Sequence, residues 1–124
     1  MRIQRGQPVD GPLIRGFTAA GYRLDDVTVA PALLLTSERA LDWSPPPLAD
    51  LTIAALEEAL LPLPEFVLLG TGALLVRPPR SLVQALDSRR IGIEAMDSRA
   101  AARAWGVLRD EGRTIAAALY PLDA

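Results

Sequence analysis

The sequence predicts a single α/β domain with a mixed sheet, and three observations support this prediction. In the second half of the chain, short apolar runs alternate with amphipathic helical patterns, which is typical of parallel strands joined by helical crossovers. The first half carries short strand-like segments separated by turn residues, which predicts an antiparallel β layer. The length of 124 residues, 50% of them apolar and 23% charged, fits one globular domain with its own core.

The first half of the chain is interpreted as hairpins. Residues 1–12 are polar and contain glycine, so we expect a flexible N-terminus followed by a single domain over residues 13–124. Strands are predicted at residues 13–14, 21–24, 27–29 and 33–36. Three consecutive prolines at 45–47 predict a stiff connector, because proline continues neither a helix nor a central strand.

The second half is predicted to alternate between helices and strands. An amphipathic helix is expected over residues 51–61 with Asp50 as its cap, and the apolar run 66–69 is expected to be a central strand. The remaining predicted elements are a short strand at 73–76, a helix from a capping box at Ser81 to about Arg89, a second central strand at 91–96, a helix from Asp97 or Ser98 to about Asp110, and a strand at 114–120.

Four residue types that carry much of protein chemistry are absent: histidine, cysteine, lysine and asparagine. The commonest general base, thiolate nucleophiles, disulfides and most zinc ligands are therefore missing. Schiff-base and phosphate-loop lysines are also missing, and the serines have no basic partner for a triad. No catalytic residue, metal or cofactor is predicted, and the composition favours a non-enzymatic role.

Charge and hydropathy restrict the expected partners and location. The net charge of -2, with acidic and basic residues interspersed, gives no basic stripe and argues against nucleic acid as a partner. No apolar run approaches the roughly 18 residues that span a bilayer, so direct membrane insertion is not expected. The first residues do not lead into an apolar signal core, and a chain without cysteine fits the cytoplasm. The oligomeric state is left open.

One candidate binding crevice is predicted where two parallel strands end. The glycine turn after the strand at 66–69 would let a ligand approach the backbone, and the next strand ends in carboxylates. The candidate crevice residues are Gly70, Thr71, Gly72, Glu94, Met96 and Asp97. A simple tight turn and a helix cap are the simpler alternatives, since the third glycine of a dinucleotide fingerprint is missing. No further ligand stands at a spacing that would indicate a metal site.

Arg103, Glu111 and Arg113 form a second candidate group around the last helix and strand. They are predicted either as an ion-pair network or as contacts facing a groove, and surface pairing is the simpler interpretation. Trp43 and Trp105 are predicted as core or rim residues rather than ligand platforms.

Blocks of sequence spread over the chain are jointly specific, although each is weak alone. They are residues 22–26, 33–35 through Trp43, Leu56, 65–72, Pro79 with Leu82 and Leu86, 91–97, 101–103, 107–108, 111–113 and 116–119. In this order they resemble the family of NADH dehydrogenase (complex I) assembly factor three, which includes the adipogenesis-associated Mth-domain protein. The resemblance covers about residue 13 to the end. It departs at residues 103–106, where Arg-Ala-Trp-Gly replaces the family's usual Arg-Thr-Tyr-Asn.

The resemblance implies a three-layer Mth-like fold, with a central mixed sheet of about five strands, flanking helices and a small antiparallel β layer. It also implies a protein-interaction or assembly factor whose partners belong to a membrane respiratory or membrane-protein biogenesis complex. Such a protein would be peripheral to the inner membrane through its partners. The alternatives are a small-molecule-binding or enzymatic domain that uses the predicted crevice, and self-association through the β layer or apolar surface.

Overall fold

The computed structural model describes residues 11–124. Its strands are β1 Gly16–Thr18, β2 Gly21–Arg23, β3 Val29–Ala30, β4 Leu33–Leu35, β5 Ala40–Asp42, β6 Phe66–Gly70, β7 Gly92–Met96 and β8 Ala116–Leu119. Its helices are α1 Arg80–Ser88 and α2 Ser98–Asp110, together with two 3₁₀ segments, Leu48–Asp50 and Ile53–Leu60.

The strands form two sheets. The smaller sheet is antiparallel, with the order β1-β2-β3, and the larger sheet has the order β5-β4-β8-β6-β7. In the larger sheet β6 runs parallel to both β7 and β8, whereas β4 runs antiparallel to β5 and β8. The predicted mixed sheet of five strands, its parallel crossovers and its separate antiparallel layer are confirmed.

Both faces of the larger sheet are apolar and covered, because side chains alternate along each strand. One face packs against the 3₁₀ helix and α1; its buried residues include Leu34, Val67, Leu69, Ala116 and Ala118, with Leu56, Leu60, Leu82 and Leu86 from the helical layer. The other face packs against α2 and the smaller sheet; its buried residues include Leu33, Leu35, Leu68, Ala117 and Leu119, with Tyr22, Ala101 and Trp105 from the covering layer. The domain therefore has three layers, as the resemblance implied.

Two tyrosines join the layers at the end of β8. The Tyr22 hydroxyl, on the smaller sheet, donates a hydrogen bond to the backbone carbonyl of Tyr120. The Tyr120 hydroxyl donates to the carbonyl of Pro46 at 2.7 Å, and its ring meets Trp43 edge-on at 5.2 Å. The proline connector is thereby fixed to the central sheet, and burial raises the pKa of each tyrosine to about 12.

Several predicted elements are confirmed. The strand predicted at 66–69 is β6, and it lies between β8 and β7 in the interior of the sheet. The helix predicted from Asp97 is α2, and the Asp97 carboxylate accepts a hydrogen bond from the backbone N–H of Ala100 at 3.1 Å. Trp105 lies in the core with no exposed surface, and its indole N–H donates to the carbonyl of Pro12 at 3.0 Å.

The amphipathic helix predicted over 51–61 is present, but it is a 3₁₀ helix and Asp50 is not its cap. The segment is the 3₁₀ helix Ile53–Leu60, which begins after Thr52 and has no side-chain cap. Its core-facing residues Ile53, Leu56 and Ala59 recur every third residue, which matches the three-residue turn of a 3₁₀ helix. The capping box at Ser81 is also wrong, because α1 begins one residue earlier and its N-cap, Pro79, makes no side-chain cap bond.

The predicted strand positions also need four corrections. Residues 13–14 and 73–76 form no strand, and the first strand is β1 instead. The strand β5 was missed, because a short segment with one large apolar residue gives no alternation and becomes a strand only by pairing with β4. The strand predicted at 91–96 is not central. It is β7, at the edge of the sheet and half exposed.

The predicted flexible N-terminus, residues 1–12, lies outside the described residues except for Gly11 and Pro12. Its boundary with the domain stays a prediction.

We expect the two tyrosines to make the protein less stable at high pH. Their folded-state pKa values of about 12 lie above the ordinary value of 10.0, so the unfolded chain loses these protons first. Their contribution to stability is complete below pH 10 and is lost as the pH rises through about 12. Denaturant titrations across this range should show a falling free energy of unfolding. The decline should be shallower in the double variant Tyr22→Phe with Tyr120→Phe, and an unchanged slope would contradict the assignment.

Candidate functional site

The glycine turn after β6 is held by a buried serine at the start of α2. Ser98 has no exposed surface, and its hydroxyl accepts a hydrogen bond from the N–H of Gly72 at 2.8 Å. The same hydroxyl donates to the carbonyl of Tyr120 at 2.9 Å, and the N–H of Ser98 donates to the carbonyl of Gly72 at 2.8 Å. The turn is therefore fastened to both α2 and the end of β8.

Thr71, in the middle of the turn, is also committed to internal hydrogen bonds. Its backbone N–H donates to the carbonyl of Met96 at 2.9 Å. Its hydroxyl lies 2.6 Å from the carbonyl oxygen of Leu74 and accepts from the N–H of Val76 at 3.0 Å. These bonds shape the loop that leaves the sheet after β6.

Gly72 is required by its backbone conformation and by the close approach of the last residue. Its φ is +106°, and a Cβ atom placed there would lie 2.2 Å from the carbonyl oxygen of Ala124. That same oxygen accepts from the N–H of Ala73 at 3.0 Å. The three successive amides of Thr71, Gly72 and Ala73 are thus all used by the protein itself, and the turn has none left for an anion.

The predicted crevice residues lie side by side at the ends of β6 and β7, but the structure places them in three different surroundings. Gly70, Thr71 and Gly72 are buried in the junction just described. Asp97 caps α2, as the simpler alternative proposed. Glu94 and Met96 instead line an open groove of about 550 Å³ beside β7. A ligand role for the six residues stays a prediction, and its remaining accessible part is this groove.

The groove runs between β7 and the C-terminal half of α2. Its lining includes Phe66 and Leu68 from β6, Glu94 and Met96 from β7, and Leu108 from α2. Glu94 points to the α2 face of the sheet, because it alternates with residues that pack on the opposite face. Among residues 11–124, neither of the two ion pairs involves Glu94. The groove therefore has an apolar floor with two carboxylates in its lining: Glu65, which is held in an ion pair, and Glu94, which is not in either of the two ion pairs among residues 11–124.

An ion pair closes one end of the groove. Arg113 lies 2.8 Å from the Glu65 carboxylate, and its guanidinium lies over the Phe66 ring at 5.5 Å from the ring centroid. The hydrogen bond from Arg113 lowers the pKa of Glu65. Both side chains are about half exposed, so this pair contributes little to stability and mainly positions the groove end.

The second candidate group is not assembled in one place. Arg113 pairs with Glu65 rather than with Glu111, which follows the last turn of α2 and adds only a favourable charge interaction. Arg103 lies on another side of α2, with its guanidinium 5.9 Å from the Phe17 ring centroid.

Sequence reasoning missed three residues that shape the site: Ser98, Glu65 and Leu108. Ser98 was considered only as a helix cap, and nothing in the sequence distinguishes a buried serine from an exposed one. Glu65 and Leu108 lie far from Glu94 along the chain, and only the packing of α2 on β6 and β7 brings them to one groove.

Within residues 11–124, no group of three or more histidine, cysteine, aspartate or glutamate residues could hold a metal ion. In the same part of the chain, neither helix has the length and apolar content needed to cross a lipid bilayer.

The three-layer fold places the chain in the class of Mth938-like domains. A Mth938-like domain protein of Bordetella pertussis, solved by solution NMR, superimposes with a TM-score of 0.80 at 24% identity, over 99% of this chain and 94% of that one. The match supports the fold alone.

The chain belongs to the family described as "Protein of unknown function (DUF498/DUF598)", whose model matches residues 14–120. It is 33% identical to an uncharacterised protein of Rhodobacter capsulatus over 109 residues, covering 88% of this chain and 84% of that protein. It is 28% identical over 121 residues to NADH dehydrogenase [ubiquinone] 1 alpha subcomplex assembly factor 3 of Danio rerio, covering 96% of this chain and 70% of that protein. The resemblance read from the sequence blocks is confirmed.

Replacing the buried serine should weaken the junction. The variant Ser98→Ala leaves the N–H of Gly72 without its partner in the interior, so we expect a loss of about 2 kcal/mol in the free energy of unfolding. The matched control is Ser88→Ala. The Ser88 hydroxyl is exposed and donates to the backbone carbonyl of Gln84 within α1, so its removal should lower the free energy of unfolding by under about 0.5 kcal/mol. Chemical denaturation measures both, and equal losses would contradict the role given to Ser98.

Two glycine-to-alanine changes should have opposite signs. Gly72→Ala meets a positive φ and the carbonyl of Ala124, so it should cost about 2 kcal/mol or more. Gly106→Ala lies within α2 with nothing within 4 Å of the new Cβ, so it should stabilise by about 0.5–1 kcal/mol. Thermal or chemical unfolding gives both values. A stabilised Gly72→Ala would show that the turn is not constrained as described.

Proposed function

We propose that this protein is a non-enzymatic, protein-binding assembly factor that acts in the cytoplasm. The observation that carries the proposal is the similarity to the Danio rerio assembly factor, which extends over nearly the whole domain. A shared fold alone would not support this role, so the proposal rests on the similarity in sequence along the chain. The absence of histidine, cysteine and lysine supports the same conclusion, because it removes the usual nucleophiles and bases.

The loop after the glycine turn supports a protein-binding role. Leu74, Leu75 and Val76 follow one another in this loop and are 75%, 62% and 48% exposed. Single exposed apolar residues are common, but three in succession on an ordered loop form a patch that a partner can cover. The bond from Thr71 to the carbonyl of Met96 places the start of this loop beside the end of β7.

The partners we propose are proteins of a membrane respiratory or membrane-protein biogenesis complex. In this proposal the factor reaches the inner membrane only through its partners. The interspersed surface charges support a protein rather than a nucleic acid as the ligand, since no basic stripe is present in the sequence.

A second candidate function rests on the groove. Its volume of about 550 Å³ and the carboxylate of Glu94, which is in neither of the two ion pairs among residues 11–124, suit a small apolar molecule with a positively charged group. A small-molecule screen by thermal shift distinguishes the two functions. Ligands that stabilise the wild type but not Glu94→Gln would favour the second candidate.

We expect capture from lysate of the native organism to return the same partner repeatedly, and to depend on the exposed loop. The double variant Leu74→Ser with Leu75→Ser should recover several-fold less partner, because it removes apolar contact area without disturbing the core. The control is Val27→Ser, which changes an 89% exposed residue at the turn between β2 and β3. Quantitative mass spectrometry measures recovery. Equal recovery by all three proteins would count against the loop, and no partner above background would count against the function.

A further inference from the structure

The outer edge of β7 presents free backbone hydrogen-bonding groups. The N–H of Gly92 donates to the backbone carbonyl of Glu65, and the carbonyl of Met96 accepts from the N–H of Thr71. Both ends of the strand therefore bond towards β6. Because a parallel ladder alternates, Ile93 and Ala95 direct their N–H and C=O groups away from β6. Within residues 11–124 no strand pairs with that side, and four backbone groups are left for another strand.

The groove lies directly against this open edge. On the α2 face of the sheet, a strand added beside β7 would set alternate side chains next to Gly92, Glu94 and Met96, with Phe66, Leu68 and Leu108 on the far side of the groove. Its central side chain on that face would stand opposite Glu94. The opposite edge of the sheet is β5, with three residues against the five of β7. The β7 edge is therefore the longer of the two, and it has the groove beside it.

A second copy of this chain does not fit that edge. The antiparallel pairing of two β7 strands that satisfies all four outward groups sets Ile93 opposite Ala95 on both sides of a twofold axis. In that register Glu94 faces Glu94 of the other copy as a directly opposed pair, with Cα atoms about 4.5 Å apart. Two carboxylates on directly opposed residues repel each other, and charges on edge strands commonly prevent edge-to-edge association.

We propose that β7 binds an extended segment of a partner protein that carries an arginine or lysine opposite Glu94 and apolar residues two positions away on each side. The backbone groups of Ile93 and Ala95 supply the pairing, Glu94 supplies the charge selection, and the groove holds the apolar side chains. This inference rests on the proposed protein-binding function and names the surface and the partner chemistry.

The test uses β7 of a charge-reversed variant as the partner strand for β7 of the wild type. In the variant Glu94→Arg, two copies again oppose like charges, whereas a mixture with the wild type opposes a carboxylate and a guanidinium. Sedimentation velocity should find the wild type and the variant monomeric when alone. The mixture should form heterodimers with an association constant about tenfold above that of either homodimer. Hydrogen exchange should slow at the amides of Ile93 and Ala95 and stay unchanged at Leu41 on the opposite edge.

Two controls isolate the β7 edge. Adding Ala95→Pro to the Glu94→Arg chain removes one outward N–H and should abolish the heterodimer; circular dichroism checks that this chain is folded. Glu58→Arg reverses an exposed charge on the 3₁₀ helix and should form no heterodimer with the wild type. A mixture that stays monomeric would overturn the proposal. So would a wild type that dimerises through β7, since the occupant would then be a second copy.

The proposed function and the proposed binding surface on β7 can be disproved separately. If the native partner is captured equally well by the wild type, Glu94→Arg and Ala95→Pro, the protein remains a binding factor and the β7 edge is not its surface. If no partner is captured while the charge-swapped mixture still dimerises, the edge accepts strands and the assembly role is overturned.

Discussion

The backbone carbonyl of Tyr120 is the point on which the arrangement of the layers depends. It accepts one hydrogen bond from the Tyr22 hydroxyl of the smaller sheet and one from the Ser98 hydroxyl at the start of α2. Three segments thus meet at this acceptor, and Ser98 links a fourth to them, because its hydroxyl accepts a hydrogen bond from the N–H of Gly72. A buried carbonyl has two lone pairs, and here both are used by side chains from the layer that covers one face of the sheet. The position of α2, and hence of the groove, follows from this junction.

The same junction explains why the carboxyl ends of the parallel strands are closed. In many open α/β sheets this end binds phosphate through free amides at a glycine turn. Here Ser98 and Ala124 occupy those amides, and a side chain placed at Gly72 would collide with the chain end. The open groove lies instead along β7, where α2 leaves the sheet partly uncovered. A glycine turn of familiar pattern thus has a structural role in this domain.

Elements with a strong local signal were predictable from the sequence, and elements made by pairing were not. The strand β6 and the helix α2 were predicted at the correct positions. Their signals, a continuous apolar run and a capped apolar stripe, come from residues close together in the sequence. The strand β5 and the edge position of β7 depend on which strands lie beside them, and that information is spread over the chain. Glu94 and Met96 were identified as candidates because they lie near the end of a predicted strand. Glu65 and Leu108 were not identified, because only the folded structure brings them to the groove.

The edge position of β7 changes the meaning of its sequence. In a central strand, Glu94 would be a buried charge that needs a partner, and glycine at 92 would weaken the packing. At an edge, an exposed carboxylate disfavours pairing between two copies of the strand, because the like charges would face each other, while the strand's outward backbone groups stay open. If a partner strand binds at this edge as we propose, Glu94 would select it by charge and the outward backbone groups of Ile93 and Ala95 would set its direction by hydrogen bonding.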